Sequence, residues 1–381
     1  MTGLPTSRLS SLDAFRGFTI AAMVLVNNPG DWGNLYPQLE HAKWHGWTFT
    51  DTIFPFFLFI GGVAMALSLG RLAAAGVNKP MLLRKLALRA IIIFLIGLLL
   101  NLIPNFNFSS VRIPGVLQRI ALCTLLAAPI VVYCGWRQQV LWIAALLAGY
   151  TVLMLGVAVP GSGAGVLEPG KDLGAYLDRL LLGKHLWVQS KTWDPEGILS
   201  TLPALASQLI GVLCGRWLLH EAPRPERTIW MLLSGLLLLA LGSIFDAILM
   251  PINKSLWTPS FCLWMSGWAL IAFAAFYWLL DGTDSAAVRA IATRWSTPFV
   301  IYGMNALFIF ALSGLIAKML GFIKLGQPDG AQISLGKALY APIKALDVAP
   351  VNTSLLYALL FNALMFCIAY VMWRKKWYVK V

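Results

Sequence analysis

Apolar residues come in runs of about twenty, separated by short polar stretches, along the whole chain. A helix of that length crosses the hydrocarbon core of a bilayer, about 30 Å thick. Backbone groups in lipid must be paired within the structure, which leaves helices or a closed barrel. No stretch shows the strict alternation of a strand, so the pattern predicts an all-α, polytopic transmembrane helical bundle of about ten helices. The predicted spans run approximately over residues 11–28, 51–70, 82–102, 116–134, 138–159, 198–219, 228–249, 258–280, 297–320 and 352–373. An even number of crossings puts both termini on one side.

Composition and charge refine this picture. Hydrophobic residues make up 59% of the 381 and charged residues 12%. The 29 Lys and Arg against 16 Asp and Glu give a formal charge of +13. A nucleic-acid partner would need a basic soluble module, and the chain offers none. Membrane topology explains the excess, because Lys and Arg collect in short cytoplasmic loops. Arg8, Arg71, Lys79, Arg84, Lys85, Arg137, Arg216, Arg224, Arg227, Arg289, Arg294 and the tail Arg374, Lys375, Lys376 and Lys380 all sort to one side, which is therefore the cytoplasmic one. Residues 1–381 read as one integral-membrane domain with outward-facing loops at 29–50, 160–197 and 321–351. The shorter connections 103–115 and 251–257 fall on that outer side too. Met1–Ser10, with Arg8 ahead of a long apolar run and no small-residue cleavage site, reads as the approach to an uncleaved first helix. Cys123, Cys134, Cys214, Cys262 and Cys367 lie in or beside apolar segments with no CxxC or Cys/His spacing, so neither a disulfide framework nor a metal site is expected.

Two outer segments carry helical patterning. DLGAYLDRLLLGKHLW, after a flexible GSGAG at 161–165, and LGKALYAPIKAL at 335–346 each predict an amphipathic helix on the outer surface. They read as interfacial loops or as lids over an outward-facing site. No repeat relates the two halves, which disfavours an inverted-repeat transporter.

Candidate chemistry concentrates between the first two spans. His41 and His45, half of the four histidines, share a loop with Lys43 and Trp44, and Asp51 heads the next helix. Imidazole, with an ordinary pKa of roughly 6.5, takes or gives a proton near neutrality. A carboxylate ten residues on is able to fix the tautomer of His41 and leave its other nitrogen as a base; read without that partner, His41 is a surface histidine and Asp51 an N-terminal helix residue favoured by the dipole. His45, four residues from His41, shares the candidacy. Asn27 ends the first span as a helix terminator or as an amide donor to an oxyanion or a substrate hydroxyl. Asp194 and Glu196 in WDPEG, and Asn253, Lys254 and Trp257 in PINKSLW, supply the carboxylate, amide, cation and aromatic groups of a sugar site, although most of the 16 tryptophans suit an interfacial belt. Ionisable groups inside spans are costly and are candidates too. Asp13 and Arg16, three residues apart, predict a structural ion pair. Arg119, Asp246 and Asn305, the last read as helix-packing glue, complete that set.

SLDAFRGFTIAAMVLVN, EHAKWHGWTFTDTIFPFFLFIGG, RIPGVLQRIAL at 112–122, DPEGILSTLPA at 194–204 and NKSLWTPSF at 253–261 together closely resemble the lysosomal heparan-α-glucosaminide N-acetyltransferase and its bacterial relatives, within the wider transmembrane acyltransferase group. The resemblance runs along nearly the whole chain. It implies an integral-membrane enzyme, in a bacterial setting an inner-membrane one, that moves an acetyl group from cytosolic acetyl-CoA to the amino group of a glucosamine-type sugar beyond the membrane. It places His41 at the family's histidine, with Trp44 and Asn27 in register, and puts asparagine where His45 stands. It also implies a form without the extra N-terminal lumenal domain and its helix, and a homodimer suits the family. An amine attacks a thioester only when unprotonated, so His41 is expected to act as general base or, alternatively, as nucleophile. Asn27 and Lys43 are the candidate oxyanion donors. The pantetheine arm would reach His41 through a cavity in the bundle, with Arg84, Lys85 and Arg89 as candidate ligands of the CoA phosphates. The competing reading is a sugar or lipid-linked glycan transporter or flippase.

Overall fold

The computed structural model describes residues 9–74, 76–326 and 332–379. Thirteen α-helices make up the described chain: α1 (Ser10–Asn27), α2 (Phe49–Ala74), α3 (Lys79–Leu102), α4 (Val116–Tyr133), α5 (Trp136–Gly156), α6 (Leu173–Leu182), α7 (Thr201–Leu219), α8 (Arg224–Ile248), α9 (Pro259–Tyr277), α10 (Ala286–Met304), α11 (Ala306–Phe322), α12 (Leu335–Lys344) and α13 (Pro350–Arg374). The strands observed are a short antiparallel pair, β1 (Lys324–Gly326) and β2 (Gln332–Ser334). Among the described residues, eight helices are long and apolar enough to cross a membrane, and nine with the bent pair α10 and α11 counted as one span. This is an integral, multi-pass membrane protein. α1, which the hydropathy pattern counts as a tenth span, is not among those helices; the Asp13–Arg16 pair lies within its 18 residues. Arg8 and Lys380 lie outside the described residues.

Small residues let the central helices meet backbone to backbone, as helices without a hydrophobic drive between them must. α2 packs along α7 and α1 along α10. A Cβ at Gly62 would lie 2.0 Å from the carbonyl of Gln208, and one at Gly211 would lie 2.1 Å from that of Phe59. The crossing of α1 and α10 is equally close, with Gly17 against Phe299 and Gly303 against Asp13. Arg16 then ties the two helices, donating from Nη2 to Asp13 (2.6 Å) and from Nε to the Gly303 carbonyl (2.8 Å). Around these crossings α2, α7 and α9 bury phenylalanine, leucine and methionine in one core with parts of α3 and α4.

The span predicted over 297–320 is not one helix. α10 and α11 meet at 72°, and Asn305 between them is non-helical (φ −125°, ψ 34°). The Asn305 side chain explains the break: its Nδ2 donates to the Trp377 carbonyl (3.0 Å) and its Oδ1 accepts from Val379 N–H (2.9 Å), so the C-terminal tail occupies the corner. The predicted surface helices are present as α6 and α12. Asp172 caps α6, accepting from Ala175 N–H (2.9 Å), and α6 packs on α5 over the end of the bundle that carries the His41 loop.

α6 also buries Asp178, whose Oδ1 accepts from Ile198 N–H at 2.8 Å. Burial, with added repulsion from Asp194 and Asp172, pushes its carboxyl up to about 6, against the pull of that hydrogen bond and of Arg119. An unfolded aspartate titrates near 3.9. The folded state therefore holds this proton more tightly, and its contribution is full below about pH 4 and is lost as pH rises through about 6. Asp178→Asn should flatten that limb of the apparent melting temperature against pH and raise stability above pH 6 by up to about 3 kcal/mol. Parallel melting curves of the two proteins check this.

Candidate active site

The loop between α1 and α2 is held at both ends by its own polar residues. Thr50 donates to the Gln38 carbonyl (3.1 Å), Gln38 Oε1 accepts from Phe49 N–H (3.0 Å), and Thr48 donates to the Glu40 carbonyl (2.6 Å). Gly46, at φ +93°, turns the chain so that its N–H donates to the Ile252 carbonyl (2.7 Å). A residue with a side chain is strained there, since that region favours glycine. The loop is thereby joined to the connection between α8 and α9.

Asp51, in the first turn of α2, is the centre of this assembly. Its Oδ1 lies 2.7 Å from His41 Nδ1, and its Oδ2 accepts from Ala42 N–H (3.0 Å), Thr48 N–H (3.0 Å) and Thr48 Oγ1–H (3.1 Å). Lys254 Nζ stands 3.4 Å from Asp51 Oδ1 and 2.9 and 3.2 Å from the two ring nitrogens of His41. An ionised carboxylate only accepts, so the neutral imidazole facing it carries its hydrogen on Nδ1 and keeps its lone pair at Nε2, where Lys254 stands 3.2 Å away. The Asp51 side chain is 1% exposed and that of His41 50%, so the carboxylate is shut away while the imidazole is reachable. Burial pushes the Lys254 ammonium below its ordinary value, partly offset by the Asp51 charge.

The other residues marked in the sequence fall around this centre in unequal ways. Trp44 donates from Nε1 to the Leu167 carbonyl (2.8 Å), and its ring meets Trp193 edge to face at 5.1 Å. Trp193 in turn meets Trp187 at 5.4 Å, giving an aromatic wall beside the His41 loop. Asp194 and Glu196 are engaged by Arg112, which reaches both Asp194 oxygens (2.8 and 2.5 Å) and Glu196 Oε2. Burial draws the Arg112 guanidinium down, but the two carboxylates outweigh it and hold it above its ordinary value. Asn253 is buried, with its Oδ1 accepting from Leu256 N–H (2.9 Å) and its Nδ2 3.4 Å from His45 Nδ1. Trp257 is 1% exposed, donates to Ser207 Oγ (3.0 Å) and lies under the Arg119 guanidinium at 5.4 Å. Asn27 is exposed at the last turn of α1, and its neighbour Asn28 closes that helix by donating to the Val24 carbonyl (2.8 Å). Lys43 is exposed.

A cavity of about 510 Å³ occupies the middle of the bundle. Its wall includes Arg16 of α1, Phe57 to Met65 of α2, Arg89 of α3, Thr124 of α4, Gln208 of α7, the α10–α11 corner and Tyr378 of the tail. Phe57 lies six residues below Asp51, about 9 Å along the helix axis. The cavity therefore begins about 9 Å below the His41 site and runs toward the opposite end of α2. All three candidate cations of α3 are exposed; Arg89 also lines the cavity, whereas Arg84 and Lys85 lie away from its wall. A larger space of about 1100 Å³, lined by Lys79, Arg216, Trp217 and His220, lies at the far ends of α2 and α7 and touches none of the His41 site.

Sequence reasoning did not single out Thr48, Arg112 or Gln208. Gln208 carried a readable signal, a lone amide inside an apolar run. The partners of Arg112 lie 82 and 84 residues away, and no local pattern marks that pairing.

Comparison with known proteins bears on this site. Residues 8–243 match the family model described as heparan-alpha-glucosaminide N-acetyltransferase, catalytic. That range holds His41, Asp51, Arg112, Asp194 and Gln208, while Asn253, Lys254 and Trp257 lie beyond it. Heparan-alpha-glucosaminide N-acetyltransferase of Homo sapiens is 31% identical over 81% of this chain and 53% of its own length. The protein of the same name from Mus musculus is 27% identical over 98% of this chain and 61% of its own. The chain thus spans between half and two thirds of these relatives. With the family model covering well over half of its residues, the chain belongs to the heparan-α-glucosaminide N-acetyltransferase catalytic family.

Proposed function

We propose that this chain transfers the acetyl group of acetyl-CoA to the amino group of a glucosamine-type sugar on the other side of the membrane, with His41 handling the amine's proton. The observation that carries the reading is the His41–Asp51 contact at 2.7 Å, which leaves the lone pair of a reachable imidazole on Nε2. The names of the relatives supply the acetyl group and the amino sugar.

The cation-rich loops define the inner side, by the tendency of Lys and Arg to stay in the cytoplasm. Lys79, Arg84 and Lys85 at the start of α3, Arg224 and Arg227 at the start of α8, and the tail Arg374–Lys376 all belong to it. With α1 taken as a tenth crossing, both termini are cytoplasmic on that assignment, the His41 loop faces outward, and in a bacterium the protein sits in the inner membrane. The mid-bundle cavity is the route for the donor's arm. Arg16 and Arg89 in its wall suit an anionic donor, and its inner approach is lined by the α10–α11 corner and the tail.

The chemistry at His41 balances with this chain's own groups. Nε2 takes a proton from the attacking amine as its nitrogen bonds to the thioester carbon. The C–S bond then breaks, and the departing thiolate recovers the proton from the imidazolium. The same lone pair serves if imidazole attacks first: the new N–C bond expels the thiolate, the amine then displaces Nε2 from the acetyl carbon, and the proton it sheds neutralises the thiolate. Asp51 stabilises the imidazolium in either route. Lys254, 3.2 Å from Nε2, is the cation closest to the reacting atoms, and a well-placed oxyanion donor is worth about 3 kcal/mol. Trp44 and Trp193 offer aromatic faces to the sugar ring, and Asn27 a free amide.

In purified protein, His41→Ala should keep its thermal stabilisation by acetyl-CoA and lose acetyl transfer by about a hundredfold or more. Normal turnover by this variant would remove the proposal. His45→Asn should retain most of the activity, because its contact is a 3.4 Å approach to Asn253 and not to Asp51; a loss matching that of His41→Ala would show that the wrong histidine has been assigned.

A further inference from the structure

Gln208 lies halfway along α7 and is 2% exposed, yet its Oε1 has no hydrogen-bond partner among the described residues. Its Nε2 makes a single long contact, 3.4 Å, to Thr124 Oγ1. Both side chains line the mid-bundle cavity. Burying an amide oxygen without a donor is costly, and more so in an apolar membrane bundle than at a surface. Gln208 cannot withdraw, because its backbone is locked against Gly62 at the closest approach of α2 and α7.

The remaining polar groups of the wall help to define what fits. Arg16 is bonded to Asp13 and to the Gly303 carbonyl, and the Asn305 amide is used at both ends by the tail. Gln208 with Thr124 is therefore a neutral acceptor–donor pair in the wall of a cavity that Arg16 and Arg89 also line. A neutral pair of this kind recognises a secondary amide and not a phosphate. Pantetheine, the arm that carries the acetyl group in acetyl-CoA, is a slender chain with two secondary amides separated by methylenes.

We infer that Gln208, supported by Thr124, binds an amide of the donor's pantetheine arm in the middle of the membrane, its Oε1 accepting the amide N–H. The inference rests on the acetyl-CoA reading above and adds to it a residue that positions the donor. The bond satisfies the stranded oxygen and the desolvated amide at once, so it fixes how far the thioester extends toward His41. A lipid tail has no amide to offer and leaves Gln208 as costly as before.

Three thioesters test this with wild-type protein and Gln208→Leu: acetyl-CoA, S-acetylpantetheine and S-acetyl ethanethiol, the last without an amide. The variant should raise KM about tenfold for the two pantetheine donors, leave the acceptor KM unchanged, and match wild type on S-acetyl ethanethiol. Stabilisation by adenosine 3′,5′-bisphosphate, the nucleotide half of the donor, should be equal in both proteins and shows that the variant is folded. If Gln208→Leu does not fold, Thr124→Val takes its place, with an expected rise of about threefold and the same selectivity among donors. Equal KM values on the pantetheine donors, or the same loss on the amide-free thioester, overturn the inference while leaving the transferase reading intact. A wild-type protein that neither binds acetyl-CoA nor takes acetyl from it overturns both.

Discussion

A carboxylate sealed inside an apolar bundle is tolerable only when donors replace the water it has lost, and Asp51 is the point where this chain meets that demand. Two backbone N–H groups, the Thr48 hydroxyl, the His41 ring and the Lys254 ammonium all converge on it. All of those donors but Lys254 come from the α1–α2 loop, and Lys254 comes from the α8–α9 connection, so one charge ties both connections to the head of α2. The same charge dictates the His41 tautomer. Structure and chemistry at this end of the molecule thus share one cause.

Below this site the bundle encloses a cavity. The His41 site is open to solvent at one end, and the cavity lined by Arg16, Arg89, Thr124 and Gln208 runs from about 9 Å below Asp51 toward the α10–α11 corner. Close glycine crossings, Gly62 with Gly211 and Gly17 with Gly303, bring the helix backbones together beside that cavity. Above it, Arg112 with Asp194 and Glu196 braces the long segment that follows α6 against the connection ahead of α4. The aromatic wall of Trp44, Trp193 and Trp187 stands on that brace.

Much of this was legible before any coordinates, and the exceptions have physical reasons. Membrane-length apolar runs locate the long helices, and the amphipathic patterns of 172–187 and 335–346 mark α6 and α12. The His41–Asp51 contact was readable because ten residues of loop separate a histidine from a helix head. Lys254 approaches the same ring from 213 residues away, and only the folded path of α8 and α9 brings it there. The corner at Asn305 was hidden for a similar reason: an asparagine in an apolar run looks like packing glue until the tail, 72 residues on, is seen to take both ends of its amide. Asp194 and Glu196 were legible as loop carboxylates, but not as partners already spent on Arg112.

The decisive observation concerns the hydrogen on the His41 ring. NMR of protein carrying isotopically labelled histidine ring nitrogens, assigned by substituting each of the four histidines in turn, reads that tautomer directly in the neutral state. The buried carboxylate requires the hydrogen on Nδ1 and an unprotonated Nε2, with the preference lost when Asp51 is replaced by asparagine. A neutral His41 that carries its hydrogen on Nε2 in the native protein would contradict the account, because the nitrogen assigned to take the amine's proton would already hold one.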